Sequence, residues 1–316
     1  MVEISHLSLM PHVARRAKDV LELGAIRSAL KLGCGVYIYV ITWILLRQNN
    51  NDTIDASVQK PFTYQTIIVI ITGGFFAIIF HWGVDEVEKH PTRKEKIVVL
   101  RHVGLRSERY MMMLIYMTTQ NVLNLVQSYF PLYLTQTMQF PKEAIAYFPL
   151  LILVSGIVAS FSVKLLTKKF SNRVLYCFGC VLTIGSAAWF FFTPLESRQA
   201  IYAPTLIMGW GMSLMVVTSL ALVGELIGED KHSSGIIYAG MAFVDKLSLG
   251  LIVLCLQESF PQGEGPDCIE CSDYVRTAFS VIPGVEALIG FVAVAFFFKQ
   301  RPFKNFKKNK DDKGNE

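Results

Sequence analysis

The chain has 316 residues, 52% of them hydrophobic and 17% charged, with a formal net charge of +5 and a mean hydropathy of +0.41. Soluble domains carry roughly 25% charged residues, so this composition excludes an ordinary water-soluble globule. Six scattered cysteines exclude a disulfide-built secreted scaffold, and the polar, basic opening with Arg15, Arg16 and Lys18 predicts no secretory signal.

The apolar residues fall in runs of about twenty, the length that crosses a ~30 Å hydrocarbon core as a helix. Inside lipid only helices or closed barrels satisfy the backbone, and runs this continuous lack the alternation of barrel strands. The expected fold class is therefore all-α, a polytopic membrane protein. Eight transmembrane helices are predicted: Ala25 to Leu46, Phe62 to Trp82, Met111 to Leu134, Ala144 to Leu166, Val174 to Phe192, Ala203 to Gly224, Gly235 to Leu256, and Ala278 to Phe298. Pro61, Pro141 and Pro194 are expected in connections, with Pro131 and Pro204 near span ends.

Threading these spans alternately places 24 Lys and Arg on the side of Met1 and five (Arg47, Lys60, Lys142, Arg198 and Arg276) on the other, with Lys246 inside the membrane. Basic residues collect on the cytoplasmic side, so both termini are predicted cytoplasmic. The expected organisation is two helices within residues 1–82, a basic linker over 83–109, a six-helix bundle over 110–298 and a basic tail over 299–316. The apolar positions Ile97 to Leu100 and Val103 make the linker either a surface-lying amphipathic piece or a solvated helix. The tail's composition resists folding and suits attraction to anionic lipid.

Asn51, Asp52 and Thr53 form an N-x-T glycosylation acceptor on the predicted non-cytoplasmic side. In the third span, Met117, Gln120, Asn121, Asn124, Gln127 and Ser128 fall within an arc of roughly 120°. A polar stripe on a membrane helix faces protein or water, so it reads as the wall of a solute cavity or as interhelical hydrogen bonding. Cys177 and Cys180, one turn apart in the fifth span, read as small apolar filler, and Gly209 and Gly211 around Trp210 as close-packing positions.

Asp245 and Lys246 stand in the middle of the seventh span, where a charge costs about 2.5 to 3.5 kcal/mol on insertion scales. Adjacent residues diverge by about 100° and are poor partners for each other. Lys246 shares a stripe with Gly235, Ala239, Ala242 and Gly250 and is expected to point inward, whereas Asp245 shares a face with Tyr238, Met241 and Ser248. The two readings are a coupling or gating pair and a structural ion pair, with Glu286 of the last span as candidate partner. Glu225 reads as a boundary residue or as a gate toward Lys164 or Arg173. Cys268 and Cys271 lie in a non-cytoplasmic loop, where an oxidising lumen favours a disulfide; the local spacing of the six His gives no zinc site. No P-loop, nucleophile elbow or H-E-x-x-H motif is present, so an enzyme, a cofactor and a metal are not expected, nor is a nucleic-acid partner.

The stretch from Gly224 to Leu251, GELIGEDKHSSGIIYAGMAFVDKLSLGL, with ISHLSLMP at Ile4 to Pro11, resembles the major facilitator superfamily domain-containing protein 12 group, within the glycoside-pentoside-hexuronide cation symporter-like branch. Its most specific part is Y-x-x-M-x-F-x-D-K from Tyr238 to Lys246. The resemblance implies a lysosomal and melanosomal membrane transporter that imports cysteine, with a small polar solute, the lipid bilayer and a coupling proton or sodium ion as its partners. It implies that Lys246 belongs to the cation-coupling region. Family members have twelve spans, and the eight here match the fifth to the twelfth: a partial N-terminal bundle and a complete six-helix C-terminal bundle. A partial gene model or shortened isoform is the expectation. The alternatives are a cation-coupled sugar symporter and a non-transporting product that regulates its full-length relative.

Overall fold

The computed structural model describes residues 17–47, 59–83, 107–167, 169–227, 234–261 and 268–300. Asn51, the N-terminal ISHLSLMP segment, most of the linker and the basic tail lie outside them, as do the side chains of Lys164 and Glu225.

Among the described residues there are eight long α-helices and no strand. They are α1 (Ala17–Arg47), α2 (Gln59–Gly83), α3 (Ser107–Leu132), α4 (Ala144–Leu166), α5 (Asn172–Phe192), α6 (Tyr202–Ile227), α7 (Ser234–Glu258) and α8 (Ile269–Gln300). Six of them, all but α1 and α3, are long and apolar enough over one continuous window to cross a membrane. The polar stripe dilutes α3, while α1 is represented by the shorter apolar stretch Gly33–Arg47.

Several boundaries depart from expectation, among them the starts of α1 at Ala17 and of α3 at Ser107, both earlier than the expected Ala25 and Met111. Pro61 sits in the first turn of α2 rather than in a connection, where its missing N–H would have had no partner anyway. Helix α8 begins at Ile269, nine residues before the expected span, because Glu270, Asp273 and Arg276 are compatible with a helix that protrudes beyond an apolar layer. Pro131 lies in the last turn of α3, near the span end as expected, and the helix then widens into a π-turn over Tyr133–Thr137. That turn closes with the Met138 amide donating to the Tyr133 carbonyl at 3.0 Å. Gln139, with a left-handed φ of 50°, follows at once. Arg198 holds this strained corner, donating from Nη1 to the Gln139 carbonyl at 3.0 Å while its guanidinium lies over the Phe140 ring.

Helix α3 is central, packing against α6, α7 and α8; α5 lies against α6 and α8, α4 against α6, α1 against α4, and α2 against α1. The core joins Ile115, Val122, Leu125 and Phe130 of α3 to Tyr176 and Phe190 of α5, Met208 and Met215 of α6, and Phe279 and Val294 of α8. Phe130 stacks on Phe279 at 5.1 Å between ring centroids, and Tyr133 also stacks on Phe279 at 4.8 Å. Helices in lipid associate by packing and hydrogen bonds rather than by water exclusion. Accordingly, Tyr176 reaches across to Thr119 of α3 at 3.0 Å and Tyr133 donates to the Phe190 carbonyl at 2.9 Å. By contrast α2 has no buried residue.

Candidate functional site

The polar stripe of α3 is divided by the packing around it. Asn121 is fully buried, Gln120 and Asn124 are half-buried, and Gln127 and Ser128 are exposed. Asn124 donates back to the Gln120 carbonyl at 2.8 Å, which leaves the Gln120 and Gln127 side chains on the outer part of the arc. Asn121 points the other way, into the helix contacts. Its Nδ2 donates to Ser248 Oγ of α7 at 2.8 Å, and its carboxamide also interacts with the Glu286 carboxylate of α8. The donor end of one amide therefore links α3 to α7 and to α8, while its Oδ1 has no hydrogen-bond partner among the described residues.

On α7 the inner face is the one predicted for Asp245: Met241 and Asp245 are buried, Tyr238 and Ser248 half-buried, and Tyr238 packs against the core. Two expectations are corrected here. Lys246 does not point inward, its side chain being 65% exposed. Nor are the neighbours poor partners, because Lys246 Nζ lies 3.2 Å from Asp245 Oδ2. The Cα–Cβ directions do diverge by about 100° per residue, but a four-carbon stem is long enough to bend back along the helix surface. Glu286, the other candidate partner, is buried on α8 and engages Asn121 instead.

Cys268 and Cys271 are joined by a disulfide with a Cα–Cα distance of 5.2 Å, at the start of α8. Tyr274, one turn on, donates to the Leu256 carbonyl at 2.7 Å, so this bridge sits where the end of α7 is tied to α8. Cys34, Cys177, Cys180 and Cys255 are free. Alkylation of the unreduced, denatured protein is expected to modify these four thiols, and two more only after reduction; six without reduction would exclude the bridge. Among the described residues no three His, Cys, Asp or Glu side chains converge as a metal site.

Sequence reasoning overlooked the buried group around Tyr176, where Thr118 and Thr119 of α3 and Gly290 of α8 crowd its hydroxyl. A lone Tyr in an apolar span gives little signal of a hydrogen-bonded seat.

The chain matches the family described as "MFS/sugar transport protein" over residues 1–300. It belongs to that family. Among curated relatives, "Major facilitator superfamily domain-containing protein 12" of Homo sapiens is 28% identical over 307 residues, covering 89% of this chain and 64% of the relative. The Equus caballus protein of the same name is 28% identical over 305 residues and the Mus musculus protein 27% over 306, with the same shares of each chain covered. The resemblance to this group is borne out, and the chain spans a little under two thirds of the length of these relatives. Membership in a membrane-transporter family, with six sufficiently long apolar helices among the described residues, makes it a multi-pass membrane protein.

Proposed function

We propose that this chain forms the greater part of a secondary transporter for a small polar solute, with cysteine as the candidate substrate and a lysosome-related organelle as its membrane. The observation that carries this reading is the amide face of α3. Gln120 and Asn124, half-buried, and Gln127, exposed, stand on the central helix of a membrane bundle, where polar groups turned toward lipid are costly. Amides donate and accept at once and so match both the carboxylate and the ammonium group of an amino acid. Lys246 contributes the coupling charge, its ammonium accessible yet tethered to the buried Asp245 carboxylate. Transporters of this type alternate access by rocking one bundle against another around a midplane site; here α1 and α2 would belong to one bundle and α3 to α8 to the other.

The test is uptake of labelled cysteine into proteoliposomes holding this chain completed with the unmatched N-terminal part of the human relative. Saturable uptake, competed by unlabelled cysteine and indifferent to sugars, is the expected result. Uptake no greater than in empty liposomes would sink the proposal. A second reading, cation-coupled sugar transport, is favoured by the sugar transport in the family's description. Labelled hexose uptake, with no competition from cysteine, would select it.

A further inference from the structure

Cys268 and Cys271, joined by a disulfide, stand only three residues apart in sequence. A bridge over so short a loop restricts the unfolded chain little and adds correspondingly little stability. Nor does it join two helices, since Cys268 directly precedes Ile269, the first residue of α8, and Cys271 lies in its first turn. The ties to neighbouring elements are made without it. Tyr274 donates to the Leu256 carbonyl of α7 at 2.7 Å, and Thr137 of the π-turn donates to the Ser272 carbonyl at 3.0 Å. Holding the fold together therefore does not account for the bridge.

Its two sulfurs are not equivalent. Cys271 is 8% exposed, with its Sγ 3.9 Å from the Pro261 carbonyl oxygen, whereas Cys268 is half-buried. An incoming nucleophile reaches Cys268 first. The Cys271 amide donates to Cys268 Sγ at 3.1 Å, and the Ser272 amide donates to the Cys268 carbonyl at 3.1 Å. Cys268 thus caps α8 with a sulfur where an oxygen more often accepts. Once the bridge is open, that amide and the positive end of the helix favour a thiolate at Cys268. The surrounding charge selects the partner. Between Glu258 and Asp273 the chain carries Glu258, Glu264, Asp267, Glu270 and Asp273 but no Lys or Arg, and Glu258, Glu270 and Asp273 are exposed. Such a field draws in a thiol bearing an ammonium group and turns away an anionic one.

We propose that the Cys268–Cys271 bridge is a thiol-exchange site, reversibly opened by small aminothiols, with Cys268 as the sulfur they modify. The aminothiol's thiolate attacks Cys268 Sγ. The bond between the two cysteine sulfurs breaks, and its electron pair leaves on Cys271 Sγ, which takes up a proton from water. The product is a mixed disulfide on Cys268. A second aminothiol thiolate attacks the outer sulfur of that mixed disulfide, releasing the symmetrical disulfide and leaving Cys268 as a thiolate beside the Cys271 amide. Two thiols are oxidised to one disulfide while the protein bridge is reduced to two thiols, so the aminothiol is itself the reductant. Run in reverse, the symmetrical disulfide restores the bridge. The site stands on the bridge and its surroundings and does not depend on the transporter reading.

The experiment uses the whole chain, purified without reductant in lipid nanodiscs, with its accessible free thiols first capped by N-ethylmaleimide. Cysteamine, mercaptoethanol and mercaptoethanesulfonate, which share one carbon skeleton but are cationic, neutral and anionic, are then added at fixed pH. The reaction is quenched with acid, and the peptides holding Cys268 and Cys271 are read by mass spectrometry, with rates expressed per thiolate. The bridge is expected to open in the folded protein, with the adduct on Cys268. At low ionic strength cysteamine is expected to react at least about fivefold faster than mercaptoethanesulfonate, a difference that salt reduces. A bridge that resists these thiols until the protein is denatured overturns the proposal, as does an adduct on Cys271. Equal rates for the three thiols overturn the assignment to aminothiols. Two variants that both lack the bridge test the asymmetry independently. Cystamine is expected to load Cys268 in Cys271→Ser at least about tenfold faster than Cys271 in Cys268→Ser, and the opposite order overturns Cys268 as the modified sulfur.

Discussion

Lys246→Ala is expected to reduce cysteine uptake by the completed transporter to background while leaving its abundance in the membrane unchanged. The lysine side chain is largely exposed, so deleting it forfeits little packing. What it does remove is the ammonium 3.2 Å from Asp245, leaving a buried carboxylate with one oxygen that has no partner among the described residues and a second newly abandoned. If that unpaired charge lowers abundance, Lys246→Ala combined with Asp245→Asn restores the balance and keeps the question open to measurement. Uptake assayed on equal amounts of protein decides it. Normal uptake by Lys246→Ala would show that the charge has no part in coupling. Lys246→Arg separates charge from shape, because a guanidinium keeps the positive charge but not the compact ammonium geometry.

A large effect on stability is expected at Gly211. A Cβ there would stand 2.7 Å from Thr183 Oγ1 and 2.9 Å from the Gly179 carbonyl oxygen, and backbone cannot be pushed aside as a flexible side chain can. Two residues earlier, a Cβ at Gly209 would meet the Ile152 carbonyl oxygen at 2.6 Å and crowd Ser155. This pair lets α6 lie directly against α5 on one side and α4 on the other, in the small-residue manner of membrane helices. Gly211→Val is expected to cost about 3 kcal/mol or more, at the upper end of overpacking penalties. The readout is the thermal midpoint and the monodisperse yield in detergent. Gly185→Ala, whose Cβ would meet nothing within 4 Å, is the control and is expected to be neutral or slightly stabilising. A Gly211→Val protein as stable as wild type would mean that α5 and α6 are not held at this distance.

The helices were legible in the sequence because lipid imposes one length and one composition. Helix α4 begins and ends at the expected Ala144 and Leu166, where a predominantly apolar run meets Lys142 and Glu143 on one flank and Thr167 and Lys168 on the other. The start of α8 was not legible, since a hydropathy pattern marks where apolar residues begin and not where helical hydrogen bonding begins. The site was half legible. Helical periodicity collected Gln120, Asn121, Asn124 and Gln127 on one arc, and Tyr238, Met241, Asp245 and Ser248 on one face. It could not say that Asn121 alone turns into the packing, because an arc of 120° spans both a buried flank and an open one. The contact between Asp245 and Lys246 was missed for a similar reason. Periodicity fixes where a side chain starts, while a long lysine decides for itself where it ends.

Helix α1 lies against α4 across the linker that separates them in the chain, and at Gly35 the absent Cβ leaves room for Leu153 Cδ1, which would stand 2.9 Å from it. At this point of the seam a bare stretch of backbone meets a flexible leucine. A Cβ added at Gly35 would meet only that side chain within 4 Å, and a leucine is free to change rotamer. Any residue larger than glycine at position 35 therefore has to turn Leu153 aside before α1 and α4 can keep this spacing.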